Sequence, residues 1–436
     1  MPDLLMDFCV QFARTMIVSG ANLERVHLAL ERLCHAYGLQ DVSIYLLSHF
    51  VSVSAKDADG AYAARQASIP AAGIHLQRLK QLNRLSYAIV RDRPEPEKLQ
   101  DLLREASTVK EYSDWMVLLA QMAAMACLCL IFGGGWKEII CTSVVTAAMH
   151  YLQLALAKPG VDSIVVNAVT MFAATSLTLL LLLTGIGADG PVVLITVSML
   201  VIPGIPLVNA VRNLLGGNEM NGILQVAKIT IETLALAMGI YCALWLFGRG
   251  SGMLETVASP LSNPVALMAL SFLASVNFGV VFRIPPHDLL RAGLGSLLTR
   301  IALIVLMPYI PSRLALIALA ALVASLYAEI LATVRKDPST YFTYPSIVPL
   351  IPGDLFYYAI AGLYISDPGM VLTNGTNCLL TLLGMSVGFV ASSLIAHYVR
   401  RGKHIRFMRK RAKLPAAASA PASAGGREKR QKEATK

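Results

Sequence analysis

From Trp115 onward the sequence is a succession of apolar runs, most of them about twenty residues long, cut by short stretches holding Gly, Pro and charge. A helix needs ~20 apolar residues to cross the hydrocarbon of a bilayer, so this pattern leaves little else for the chain to fold into. The punctuation divides it into ten expected spans, near 115–132, 138–156, 163–186, 191–213, 222–247, 263–282, 288–308, 313–334, 344–366 and 376–399. The seventh is the weakest, because it carries Arg291 and Arg300. Composition agrees: 56% of residues are hydrophobic and 15% charged, against roughly 25% charged in a soluble domain. The expected fold is an all-α polytopic membrane protein.

Residues 1–112 differ. Leu5, Phe8, Phe12 and Met16 recur at helical spacing beside Asp7, Gln11 and Arg14, which makes an amphipathic helix. Asn22 is placed to cap a second helix that Gly38 stops. Ser43 to Val53 reads as a strand with a partner across Asp57–Gly60, and charged helices follow over 74–90 and 95–111. A small cytosolic α+β or helical domain is expected. Its histidines, His27, His35, His49 and His75, show no metal or nucleophile spacing, and Cys127 and Cys129 fall on different helix faces. No cofactor and no metal are expected.

The net charge of +10 sits at one end, since 13 Lys or Arg and two Glu lie between Arg400 and Lys436. A basic tail after an apolar body suits anionic lipid, not nucleic acid. The expected parts are therefore 1–112, a first membrane repeat over 113–250, a second over 260–400 and a disordered basic tail over 401–436. The positive-inside rule orients them. Lys158, Arg212, Arg283, Arg335, Lys336 and the run from Arg400 to Lys413 fall on one side. Lys137 with Glu138, Asp189, Arg249 with Glu255, Arg313 and Asp367 fall on the other, where the charge is close to neutral or acidic. Both termini are expected in the cytoplasm of a cell with an inner membrane.

Two spans are broken in mid-membrane by the same tripeptide, Ile202-Pro203-Gly204 and Ile351-Pro352-Gly353, 149 residues apart. Phe132 and Phe282, each closing the first span of its half, are 150 apart. One offset for two landmarks indicates an internal duplication. A unit of five spans ends opposite its start, so its copy inserts upside down, and inverted repeats with Pro/Gly-broken helices mark a midplane site in secondary transporters. Proline removes an N–H and clashes with the preceding turn. The half-helix beyond the break then begins with free N–H groups and partial positive charge, where a carboxylate fits. Pro203, Gly204, Asn209, Pro352, Gly353 and Asp354 are the expected substrate-binding residues. Ionisable groups at membrane depth are candidates for proton coupling, here Asp354, Glu232, Glu329 and His150. Lys228 and Glu232, at i and i+4, also suit a plain neutralising pair.

Ser19-Gly20-Ala21-Asn22-Leu23-Glu24-Arg25-Val26, Leu200 to Asn209, Arg212-Asn213-Leu214-Leu215 and Pro345 to Gly353 resemble the signatures of the threonine/serine exporter family. The resemblance runs to about Arg400. It implies export of small hydroxylated amino acids driven by the proton motive force, with small dicarboxylates such as succinate as the alternative, because split two-component relatives are associated with them. In that family an acidic residue often follows the first Pro-Gly; here Ile205 stands there and Asp354 holds the matching place in the second half. The expected partners are a small-molecule substrate and the bilayer, and the architecture is compatible with a homo-oligomer. A membrane-anchored hydrolase or sensor is the competing class; ten spans exceed what an anchor needs, and no enzyme is expected.

Overall fold

The computed structural model describes residues 2–57, 59–70, 73–109, 111–157, 161–184, 189–202, 204–215, 218–247, 260–335 and 337–412. The N-terminal region is α+β. Helices α1 (Pro2–Val18) and α2 (Leu23–Ala36) precede a meander of β1 (Gln40–Leu47), β2 (Phe50–Lys56) and β3 (Tyr62–Ser68), and α3 (Leu76–Asp92) and α4 (Pro96–Ser107) follow. Asn22 caps α2 through the Glu24 N–H, and Gly38 takes φ +77° just past its end, as a left-handed stop requires. The single strand expected over Ser43–Val53 is in fact two. Leu47 pairs with Phe50 across Ser48-His49, a turn without the Gly, Asn or Asp that announces a two-residue hairpin. The partner expected across Asp57–Gly60 is β3, antiparallel to β2.

The apolar part begins with α5 (Asp114–Ile131), α6 (Trp136–Leu156), α7 (Ser163–Leu183), α8 (Gly190–Ser198), α9 (Gly204–Leu215) and α10 (Glu219–Phe247). It continues with α11 (Pro264–Val281), α12 (Pro286–Leu306), α13 (Arg313–Arg335), α14 (Thr340–Ser346), a short turn at Val348–Leu350, α15 (Gly353–Tyr364) and α16 (Pro368–Ala412). Among the described residues, eight helices are long and apolar enough to cross a membrane, and α14 with α15 adds a ninth bent by 45°. The expected fourth span lies in α8 and α9, with Pro203 between them outside the described residues. The last helix starts at Pro368, eight residues before the expected border. Residues from Ser393 form a separate unit whose described part is helical to Ala412. Most of the basic tail, from Lys413, lies outside the described residues.

The duplication is legible in the elements. Helices α5 and α11, α6 and α12, α7 and α13, and α8 and α14 start 150 residues apart; α9 and α15, and α10 and α16, start 149 apart. The contacts repeat as well. Gly239 of α10 sits against the Ala168 carbonyl and Phe172 N of α7, and Gly388 of α16 sits against the Ala318 carbonyl and Leu322 N of α13. At both places two helices approach too closely for any side chain, the small-residue contact that packs helices where lipid supplies no hydrophobic drive. His150 Nδ1 pairs with Gln121 Oε1 at 2.8 Å, and 150 residues on Arg300 Nε donates to Ser271 Oγ at 2.8 Å.

The N-terminal region is fastened to the second half. The Leu76 and Gln77 N–H groups at the start of α3 donate to the Phe282 and Arg283 carbonyls beyond the end of α11, so one helix end satisfies another. Lys80, 6% exposed, lies 2.8 Å from Asp288 and 2.9 Å from Asp337, whose side chains are fully buried. Arg291 and Tyr341 add bonds to Asp288 at 2.6 and 3.0 Å. The β1–β2 turn reaches the first half, where Asn221 donates to the Leu46 carbonyl and Gln225 to Ser48 Oγ.

Candidate functional site: two cavities at the paired helix breaks

Both breaks close with the same local bond. Gly204 N–H donates to the Ile202 carbonyl at 2.8 Å and Gly353 N–H to the Ile351 carbonyl at 2.9 Å. Pro352, at φ −83° and ψ 57°, is the centre of an inverse γ-turn, which reverses the chain within three residues. The breaks also face one another. A Cβ on Gly204 would come 3.2 Å from Ile351 Cγ2, and one on Gly353 would run into the Met199 side chain. Each glycine therefore makes room for the residue ahead of, or within, the other break.

Two cavities flank this crossing. The first, about 280 Å³, is bounded by Ser163, Asn209, Asn213, Gln225, Lys228 and Glu232 of the first half and Tyr344 of α14, and is covered by the loops of the N-terminal region around Asn22, His49 and Gly73. The second, about 410 Å³, is bounded by Arg300, Arg313, Asp354, Tyr358 and Thr381 of the second half, with Ile195 and Met199 from α8 and its end. The broken chain runs from one wall to the other: Met199 lines the second cavity and Pro206 the first, while Tyr344 lines the first and Val348 to Pro352 the second.

The walls use matching positions. Ser163 donates to Glu232 Oε1 at 2.9 Å in the first cavity, and the residues 150 and 149 further on, Arg313 and Thr381, make the corresponding bond at 2.8 Å in the second. Asn209 of α9 donates to Tyr344 Oη at 3.0 Å, which ties the first broken helix to the second. Lys228 and Glu232 stand 3.9 Å apart in the first cavity, the neutralising pair that their spacing allows.

Of the expected site residues, Gly204, Asn209, Pro352, Gly353, Asp354 and Glu232 thus lie at the crossing or on a cavity wall. Pro203 lies outside the described residues. His150, buried against Gln121, and Glu329 on α13 line neither cavity. The sequence marks Arg313 as a loop charge and Arg300 as an ionisable group inside the seventh span, which makes it a functional candidate by its cost there. The signal that finds them is the same offset, since both stand at positions matched to polar residues of the first half. No group of three or more potential metal ligands occurs among the described residues.

A bundle of membrane-crossing helices, with two of its members broken against each other and, on either side of the breaks, a mainly apolar cavity holding a few charged and hydrogen-bonding side chains, defines a multi-pass membrane transport protein. The chain belongs to the threonine/serine exporter family: the family model described as "Putative threonine/serine exporter" matches residues 7–247, and that described as "Threonine/Serine exporter, ThrE" matches residues 267–395. The two halves, elsewhere described by separate models, are fused here. The chain is 24% identical over 244 residues to "Probable succinate transporter subunit YjjP" of Klebsiella aerogenes, an alignment covering 55% of this chain and 93% of that protein. It is 30% identical over 138 residues to the protein of the same name from Escherichia coli K12, covering 31% of this chain and 54% of that protein. No solved structure matches the chain.

Proposed function

We propose that the protein is a secondary transporter of the inner membrane that exports small amino acids such as threonine and serine, driven by the proton motive force. The observation that carries this reading is the pair of position-matched cavities joined through the two facing breaks. Two related half-sites on either side of one crossing are what alternating access needs, because rocking one half against the other opens one cavity as it closes its counterpart. The two five-helix halves are inverted in this reading, and both termini are cytoplasmic. A cysteine introduced near Asp189 is then labelled from outside intact cells and one near Lys336 is not; the reverse pattern sinks the topology.

Asp354 is the coupling group of choice. It stands in the first turn of α15 directly after the break and lines the second cavity, where a substrate held in that cavity would meet it. Glu232, on the first cavity, is next; His150 and Glu329 are less well placed. A second reading, export of small dicarboxylates, is favoured by the printed name of the two relatives, a succinate transporter subunit. Counterflow of labelled threonine, serine and succinate into proteoliposomes of the purified protein separates the readings. A protein that moves none of the three is not this transporter.

A further inference from the structure

The second cavity holds two guanidinium groups, and neither has an acidic partner among the described residues. Arg300 donates through Nε to Ser271 Oγ and Arg313 through Nε to Thr381 Oγ1, each at 2.8 Å. Both hydroxyls belong to buried residues, and the Thr381 hydroxyl is itself anchored on the Asn377 carbonyl at 2.7 Å. Each arginine is thus held by one edge, and its two terminal amino groups, the end that grips a carboxylate, have no protein acceptor among the described residues. Asp354 lines the same cavity without an ion pair to either among those residues.

Arginine inside a membrane-crossing helix, as Arg300 is in α12, is costly and is found where it faces a cavity or a partner, and Arg313 joins it from the first position of α13. Here the cavity is present, and among the described residues no carboxylate is paired with either arginine. The contrast with the first cavity is informative. At the positions matched to Arg313 and Thr381 stand Ser163 and Glu232, and Lys228, the one Lys or Arg among the described residues of that wall, is already 3.9 Å from a carboxylate. Counted over the described residues, the first cavity is thus neutral and the second carries an excess of positive charge.

We propose that Arg300 and Arg313 form the carboxylate-binding site of the transporter, in the second cavity beside Pro352-Gly353. A small dicarboxylate spans both guanidiniums. An α-amino acid places its carboxylate on one of them and its ammonium on Asp354. This deepens the transport reading above and rests on it. The first cavity, whose described residues offer no Lys or Arg without a carboxylate beside it, is where the same ligand is held weakly.

The test uses the full-length protein in proteoliposomes with Arg300→Gln, Arg313→Gln, Arg313→Lys and Asp354→Asn. Loss of a hydrogen bond to a charged group corresponds to roughly a 10- to 100-fold rise in the half-saturating concentration. If the substrate is a dicarboxylate, both Gln variants show that rise for succinate. If it is an amino acid, one Gln variant shows it for threonine or serine and Asp354→Asn shows it too. In either case Arg313→Lys falls between parent and Gln where Arg313 is the group engaged. Half-saturation at the parent value in both Gln variants, as expected if the guanidiniums served lipid headgroups instead, overturns the assignment while leaving transport standing. Parent vesicles that carry no carboxylate sink the transport reading instead. Binding is then decided on the unaltered protein: saturating succinate or threonine protects Arg313 from an arginine-specific dicarbonyl reagent, read peptide by peptide, and equal modification with and without them overturns the proposal even if a variant fails to fold.

Discussion

Asp354 and His75 are two single side chains from each of which a larger event is expected to follow. Asp354→Asn keeps the volume of the side chain and removes its charge from a cavity already rich in cations. We expect it to abolish transport driven by a pH gradient while expression and membrane insertion stay at the parent level; transport at the parent rate would leave Asp354 a helix-end residue and move attention to Glu232. His75 acts at the N-terminus of α3. Its Nδ1 accepts the Arg78 N–H at 3.2 Å and its Nε2 faces Glu111 Oε1 at 3.2 Å, so the capping form is the neutral ring with the proton on Nε2. Burial lowers the pKa of His75 below its ordinary 6.5, and Arg78 adds to this against the pull of Glu111. The unfolded chain therefore binds the proton more readily than the folded one. The stability from this cap is present above about pH 6.5 and is lost as pH falls through the folded-state value. Hydrogen exchange at the Arg78 amide, corrected for its intrinsic rate, should accelerate over that interval in the parent; the same acceleration in His75→Asn, whose cap does not titrate, would exclude this origin.

The glycines that set helix distances make the sharpest tests of whole elements. At Gly388 a side chain would meet the Ala318 carbonyl and Ala321 Cβ of α13, neither of which can swing aside. Gly388→Leu should destabilise by about 1–3 kcal/mol or more through overpacking, while Gly375→Ala on the same helix, where nothing lies within 4 Å, should leave the melting temperature in detergent near the parent's. Equal melting temperatures for the parent and both variants would mean that α13 and α16 do not pack as described. Elements of this kind were partly legible beforehand. Proline and glycine act on their own backbone, so Ile202-Pro203-Gly204 and Ile351-Pro352-Gly353 announce a break wherever they stand, and apolar runs announce a span by length alone. The β1–β2 turn at Ser48-His49 was hidden because neither residue is a turn former, and nothing local separates the Val-rich residues on its two sides. Arg313 was hidden for another reason. It is the first residue of α13, where a charge next to a loop looks solvated, and its hydroxyl partner Thr381 is 68 residues away.

Across the whole molecule, a buried charge cluster joins the N-terminal α+β region to the membrane-crossing part. Replacing Lys80 by Met leaves Asp288 and Asp337 without the ammonium between them, and breaking a buried pair in this way costs about 3–5 kcal/mol. Arg291, Arg84 and Arg335 approach the same carboxylates at 2.6, 3.4 and 3.5 Å and hold back part of that loss. Lys80→Met should lower the thermal midpoint and expose the N-terminal region to protease, and unchanged protease resistance would mean that the helix-end bonds suffice to hold it. None of this was readable from a local pattern, because the partners are 208 residues apart along the chain. That separation also has a meaning in time. Lys80 leaves the ribosome long before Asp288 and Asp337, so the first domain to be made is without these partners until α12 and α13 have been synthesised. If the gene is cut between residues 247 and 267, where the two family matches leave a gap, the same ion pair becomes a handshake between two polypeptides, and its geometry selects which second half a given first half accepts as its mate.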